Sequence, residues 1–218
     1  MVIDTALACT VFAAIALGSV PVVAGELVRL DPDAVDLGVL GGEFVTGLTG
    51  GGTPGEWAVV ADDTADHRRA IAQLSADRTG YRFPLAVYRL LSARNVDVHL
   101  RFKPVSGTVD QAGGIVVRLA SMDDYYVARA NALEDNVRLY RVVKGRREQI
   151  AGADIKVASG QWHALGLRAE DDRLTVSYDG QVLFTATDGT FAGEGRVALW
   201  TKADSVTHFD HIEIRTLP

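Results

Sequence analysis

Residues 118–136 and 200–204 gather aromatic rings, guanidinium groups, amides and carboxylates at strand spacing. On an ideal strand Tyr125, Val127, Arg129 and Asn131 share one face, while Tyr126, Ala128 and Ala130 share the other. A ring, a guanidinium and an amide on one face offer a stacking surface for the C–H side of a sugar and fixed donors for its hydroxyls. Arg118 is expected from the adjacent strand, and Glu134, Asp135 and Asn136 supply acceptors at the following turn. A plainer reading puts one tyrosine in the core, pairs Arg129 with Glu134 or Asp135, and leaves Asn136 to shape a turn. Trp200, Lys202 and Asp204 form a second group, a ring at a strand end beside a cation and a carboxylate. Its plainer reading is a buried Trp200 with a surface Lys202–Asp204 pair. Asp204 and Asp210 also raise calcium as a cofactor, although that ion takes about six or more oxygen ligands.

Other chemistries find less support. The acidic runs Glu134-Asp135 and Glu170-Asp171-Asp172 put neighbouring carboxylates on opposite sides of a strand or in a turn. His208 and His211, three apart, are expected on opposite faces of a strand, unlike a helical metal pair. No Gly-x-Ser-x-Gly elbow occurs, and Cys9 is the single cysteine, which excludes a disulfide framework and a cysteine-rich zinc site. With 22 basic against 28 acidic residues, a net charge of −6 argues against nucleic acid as a partner. Residues 113–147 run the other way, with seven basic side chains against four acidic ones. That surplus suits an anionic glycan or the cell envelope, although Lys144 to Arg147 also fits a solvated hairpin tip.

These residues must be held by strands. Val96 to Lys103 alternates apolar and polar at every position, with His99 on the wet face, and Pro104 and Ser106-Gly107 are expected to end it. Asp179-Gly180 between Leu174–Tyr178 and Val182–Thr187 is the strongest hairpin signal. Further β-rich runs cover 114–119, 125–130, 137–143, 162–167, 196–201 and 206–214. Spacing of roughly 10 to 14 residues without helical patterning predicts an antiparallel sandwich. Residues 26–95 are less regular. Gly47 to Gly55 reads as a flexible loop, Trp57 opens a strand, and Asp66 to Ala76 is compatible with one short helix.

Thr5 to Gly25 is uncharged and largely apolar, ending in Pro21 and Val22-Val23-Ala24. This fits a secretory signal over residues 1–24, followed by a single domain over 25–218 in the periplasm or outside the cell. Asp4 stands where such a signal carries a basic residue, and residues 5–25 are also long enough for a membrane anchor.

Two segments carry a family resemblance: 107–147, GTVDQAGGIVVRLASMDDYYVARANALEDNVRLYRVVKGRR, and 197–214, VALWTKADSVTHFDHIEI. They resemble a bacterial family of secreted laminin-G-like, concanavalin-A-like jelly rolls, similar to the 3-keto-disaccharide hydrolase-like domain. The resemblance implies an all-β jelly-roll sandwich of two curved antiparallel sheets, with ligands met on the concave face or its rim loops. Laminarinase-type relatives carry Glu-x-Asp-x-x-Glu on one strand face, and this chain has no such run. The implied role is therefore a carbohydrate-binding or cell-envelope module. The alternative is a hydrolase or lyase acting on a 3-keto glycoside, with Glu134 or Asp135 as base and Arg129 or Lys202 as stabiliser. A purely structural or protein-interaction role needs no ligand at all.

Overall fold

Period-two alternation becomes strand pairing almost wherever it occurs. A computed structural model describes residues 25–218, so the expected leader over 1–24 and Cys9 lie outside the described residues. In chain order the strands are β1 Leu27–Leu30, β2 Phe44–Gly50, β3 Trp57–Ala61, β4 Arg69–Gln73, β5 Arg82–Ala93, β6 Val96–Ser106, β7 Ala112–Ser121 and β8 Asp124–Asn131. They continue as β9 Asn136–Val143, β10 Arg146–Asp154, β11 His163–Glu170, β12 Arg173–Tyr178, β13 Gln181–Thr187, β14 Gly195–Thr201 and β15 Val206–Thr216. One short 3-10 turn, Pro32–Ala34, precedes β2.

The strands form two antiparallel sheets. The eight-stranded sheet runs β13-β12-β11-β6-β15-β4-β3, with β1 added along β15. The seven-stranded sheet runs β10-β9-β8-β7-β14-β5-β2. Between them lies the main core, in which Phe102, Leu165, Leu167, Val176, Phe209 and Ile214 of one sheet meet Tyr126, Ala128, Leu139, Ile115 and Leu199 of the other. Burying these faces supplies most of the drive to fold.

A second apolar cluster lies on the opposite face of the seven-stranded sheet. Phe83, Leu85, Val87, Val116, Tyr125, Val127, Val142 and Trp200 are buried there although, among the described residues, no third sheet covers them. The sheet curls over its own outer face instead. Tyr81, just ahead of β5, donates its hydroxyl to the Gly145 carbonyl in the β9–β10 turn, 2.8 Å away, and accepts from Arg147 N at 2.8 Å. Thr49 of β2 also meets Tyr125 of β8 at 2.9 Å. Strands far apart in the sheet therefore meet across a half-closed barrel, filled by a stacked Phe83–Trp200 pair with centroids 5.2 Å apart.

Several expectations need correction. Asp66 to Ala76 is not helical: β4 lies between β3 and β15, and pairing on both sides overrides the alanine-rich local preference. Gly47 to Gly50 belong to β2, leaving the loop to the residues after them; Gly47 packs against Met122, where a side chain would clash. β6 passes through Pro104 to Ser106. His208 and His211 do not straddle their sheet, because a bulge between Asp210 and Glu213 adds a residue. His211 takes φ +48°, and the core receives Phe209, Ile212 and Ile214 while both histidines meet carboxylates of the β3–β4 loop. The Asp179-Gly180 hairpin forms as expected, both residues at positive φ.

Candidate functional site

At the open end of the curled face, the β6–β7 loop, the β8–β9 turn and the β14–β15 turn converge on a charged cluster. Arg129 of β8 is its pivot. Its Nη2 donates to Glu134 Oε2 at 2.7 Å and to the Tyr140 hydroxyl at 3.1 Å, and its Nη1 donates to Asn136 Oδ1. Asn136 Nδ2 donates to the same Glu134 oxygen at 3.2 Å. Glu134 Oε2 is thus doubly held, while the carboxylate as a whole stays 39 % exposed. Its other oxygen, Oε1, lies 3.9 Å from Lys202 Nζ. Lys202 also pairs with Asp110 Oδ2 at 2.7 Å, and Asn131 donates to Asp110 Oδ1 at 2.6 Å.

The two carboxyls are tuned apart. Burial pushes Glu134 up, but the Arg129 charge and the hydrogen bonds from Arg129 and Asn136 outweigh it and hold the group below the ordinary carboxylate range. Burial raises Asp110 above its ordinary value despite Lys202, with the Glu134 charge adding to the rise. The cluster therefore presents an immobilised, ionised acceptor beside an ammonium donor. Such a pair reads hydroxyl groups well, because a sugar hydroxyl both donates and accepts.

Of the residues singled out in the sequence, Arg129, Glu134, Asn136 and Lys202 come together here, with Asn131 one step behind. The others do different work. Tyr125 and Trp200 share the curled face but are fully buried in its apolar filling, so neither ring has a face for a sugar. Burial also pushes the Tyr125 hydroxyl up to about 12. Asp135 turns away, accepting from Lys156 Nζ at 2.9 Å and Val157 N at 3.2 Å, which hold its carboxyl low. Arg118 sits at a bulge with φ +51°, and its guanidinium donates to the carbonyls of Arg94, Asp171 and Phe191. Asp204 does not pair with Lys202; it accepts from the backbone N–H groups of Thr108, Val109 and Asp110 at 2.8–3.0 Å. Asp210 binds Arg101. Carboxylates spent on N–H donors in this way suit a loop anchor and an ion pair, and do not fit a hard cation such as calcium.

Two contributors escaped the sequence reading, Asp110 and Tyr140, and Arg147 entered it only as part of the basic run over 113–147. Arg147 is not part of a solvated tip, since its guanidinium carbon lies 4.3 Å from the Tyr140 ring centre and 4.9 Å from that of Phe83. A polar cluster on the outer face of the eight-stranded sheet was also missed. There Trp162 lies under Arg101 and Lys103, and Asp62 binds both Lys103 and His208. A cleft of about 280 Å³ opens elsewhere, beside the end of β1 and the bulge of β15, lined in part by Arg29, Arg69, His67 and Glu213. Arg29 there is already paired with Glu213 at 2.6 Å and His67 Nδ1 lies 3.3 Å from Asp33, so the convergent, partly free groups are those around Glu134.

No family model and no curated protein matches the chain. Solved structures do. The carbohydrate binding module CBM66 from Bacillus subtilis is similar over 78 % of this chain and 95 % of its own, with TM-score 0.62 and 19 % identity. The fold is a galectin-like jelly roll. Domain 4 of AbnA, an extracellular arabinanase from Geobacillus stearothermophilus solved in complex with arabinotriose, matches over 88 % of this chain and 93 % of its own, with TM-score 0.59 and 18 % identity. A protein of unknown function with a galectin-like fold, also from Bacillus subtilis, matches over 78 % and 89 %, with TM-score 0.56 and 8 % identity. At these identities the likeness concerns the backbone, and the site must be read from this chain's own residues.

Proposed function

We propose that this chain is a carbohydrate-binding module whose ligand meets Glu134 and Lys202, with Arg129 and Asn136 holding the carboxylate in place. The observation that carries this reading is the half-free Glu134 carboxylate, fixed through one oxygen and open at the other beside an ammonium group. Similarity of fold to a carbohydrate binding module and to an arabinanase domain solved with arabinotriose supports it. The uncharged, apolar run over residues 5–25 supports work outside the cytoplasm, in the periplasm, at the envelope or in the medium.

Retention of the purified protein on a panel of immobilised polysaccharides tests the proposal. Glu134→Ala and Lys202→Ala should each weaken retention about ten-fold or more, the scale of one charge-assisted hydrogen bond. Asp135→Asn, which alters a group facing away, should leave it unchanged. Retention indifferent to both site changes would discard the proposal.

A second reading, cleavage of a 3-keto glycoside, is favoured by the same 3.9 Å approach of Lys202 to Glu134. An ammonium able to polarise a keto oxygen stands beside a carboxylate able to take the α-proton. The clamp that lowers the Glu134 carboxyl also makes it a weak base. Release of sugar from a 3-keto glucoside, abolished by Glu134→Gln, would establish cleavage; binding without release leaves the module.

A further inference from the structure

The β9–β10 hairpin brings one more cation to the site, and that cation has no counter-charge. Arg147, the second residue of β10, is folded inward by the latch on Tyr81, whose hydroxyl accepts from Arg147 N and donates to Gly145 O. Its guanidinium lies over Tyr140 and Phe83 and reaches to 6.0 Å from the Trp200 ring centre. Arg129 approaches the same Tyr140 ring, at 5.6 Å, so the two guanidinium groups share one aromatic partner. Buried arginines elsewhere in the molecule have a partner on every guanidinium nitrogen: Arg82 donates to the carbonyls of Thr53, Pro54 and Ala203 and to Ser75 Oγ, and Arg118 to three carbonyls. Arg147 is different. Among the described residues its guanidinium has no ion pair, its Nη1 is buried with no hydrogen-bond partner, and the side chain remains only half-buried. The buried Nε of Arg129 is unpartnered as well.

The charge balance of the cluster has the same sense. Arg129 and Lys202 are matched by Glu134 and Asp110, and Arg147, joined to Arg129 through the Tyr140 ring, adds an unmatched positive charge in an acidic protein. A cation held over aromatic rings and short of hydrogen bonds costs desolvation that the rings repay only in part. A ligand carrying a carboxylate repays it, because two carboxylate oxygens match the fork of a guanidinium.

We infer that the ligand is an acidic sugar, a uronate, whose carboxylate is taken by Arg147 while its hydroxyls meet Glu134 and Lys202. The inference rests on the carbohydrate reading and narrows it. Arg147 selects by charge, and Tyr140 with Phe83 holds the guanidinium in place.

The test measures affinity of the purified protein for a soluble polyuronate, the same polymer with its carboxyls methyl-esterified, a neutral polysaccharide of the same sugar skeleton, and a sulfated polymer of equal charge density. Arg147→Met keeps the packing of the stem over the rings, and Arg147→Lys keeps the charge without the fork; thermal melts confirm that each is folded. Polyuronate should bind about ten-fold or more tightly than its methyl ester, Arg147→Met should lose that margin, and Arg147→Lys should keep part of it. If Arg147→Met binds polyuronate like the parent, or gains neutral ligand while polyuronate is unaffected, Arg147 is only a plug on the rings and the inference falls. Equal binding of the sulfated polymer overturns the carboxylate assignment. Binding of the neutral polymer as tight as polyuronate overturns the inference but leaves the carbohydrate-binding proposal standing, whereas binding of none of the four overturns both.

Discussion

Glu134 and His99 show what one well-placed charge does in opposite directions. At Glu134, charge and hydrogen bonding outweigh burial, so the carboxylate stays ionised and ready to accept from a ligand at any pH near neutrality. At His99, on the wet face of β6, the hydrogen bond that Nε2–H donates to Asp97 Oδ1 at 3.0 Å outweighs desolvation and raises the imidazole above 6.5. The charged imidazole is favoured by folding, so its contribution to stability is fully present below about pH 6.5 and is lost as pH rises through the elevated folded value. The pair is half-exposed, so screening keeps the contribution below about 1 kcal/mol. Asp97→Asn should bring the His99 titration midpoint, followed by proton NMR of the ring, back down toward 6.5 and flatten that pH dependence. An unchanged midpoint would remove Asp97 as the cause.

At the scale of elements, the strands are joined by three polar staples, each drawing loops from both sheets or from distant turns. Arg118 gathers the β5–β6, β11–β12 and β13–β14 connections at one end of the sandwich. Arg82 gathers the β2–β3, β4–β5 and β14–β15 connections, and Asp204 holds the β6–β7 loop that carries Asp110 into the site. Arg118→Met should lower unfolding free energy by about 3 kcal/mol in a denaturant titration, because it strands buried carbonyls, yet leave glycan affinity unchanged. A loss of affinity in a folded Arg118→Met protein would instead give Arg118 the ligand role expected from its sequence position. These staples explain which elements could be read beforehand. Strands with one wet face, such as β6 and β12, declare themselves by alternation, whereas Arg82 to Tyr88 of β5 is buried on both faces and carries no period-two signal. The bulges at Arg118 and His211 then shift the parity on which any reading of faces depends.

Over the whole molecule, the site divides the same way. Arg129, Asn131, Glu134 and Asn136 were legible together because one strand and its turn place them. Lys202 joins them from the turn after β14, a strand that β7 separates from β8. Tyr140 and Arg147 become neighbours of Trp200 only through the curl of the seven-stranded sheet, a property of long-range pairing that no local spacing encodes. That curl also decides which aromatic residues are filling and which groups remain at the mouth. The most direct measurement of the central claim is a map of backbone and side-chain NMR shifts as a uronate oligosaccharide is titrated into the protein. The largest changes should fall on Arg129, Glu134, Asn136, Arg147 and Lys202, with Trp162, Lys103 and His208 on the opposite sheet unmoved. Changes centred on Trp162, or on the cleft lined by Arg29, His67 and Glu213, would contradict it.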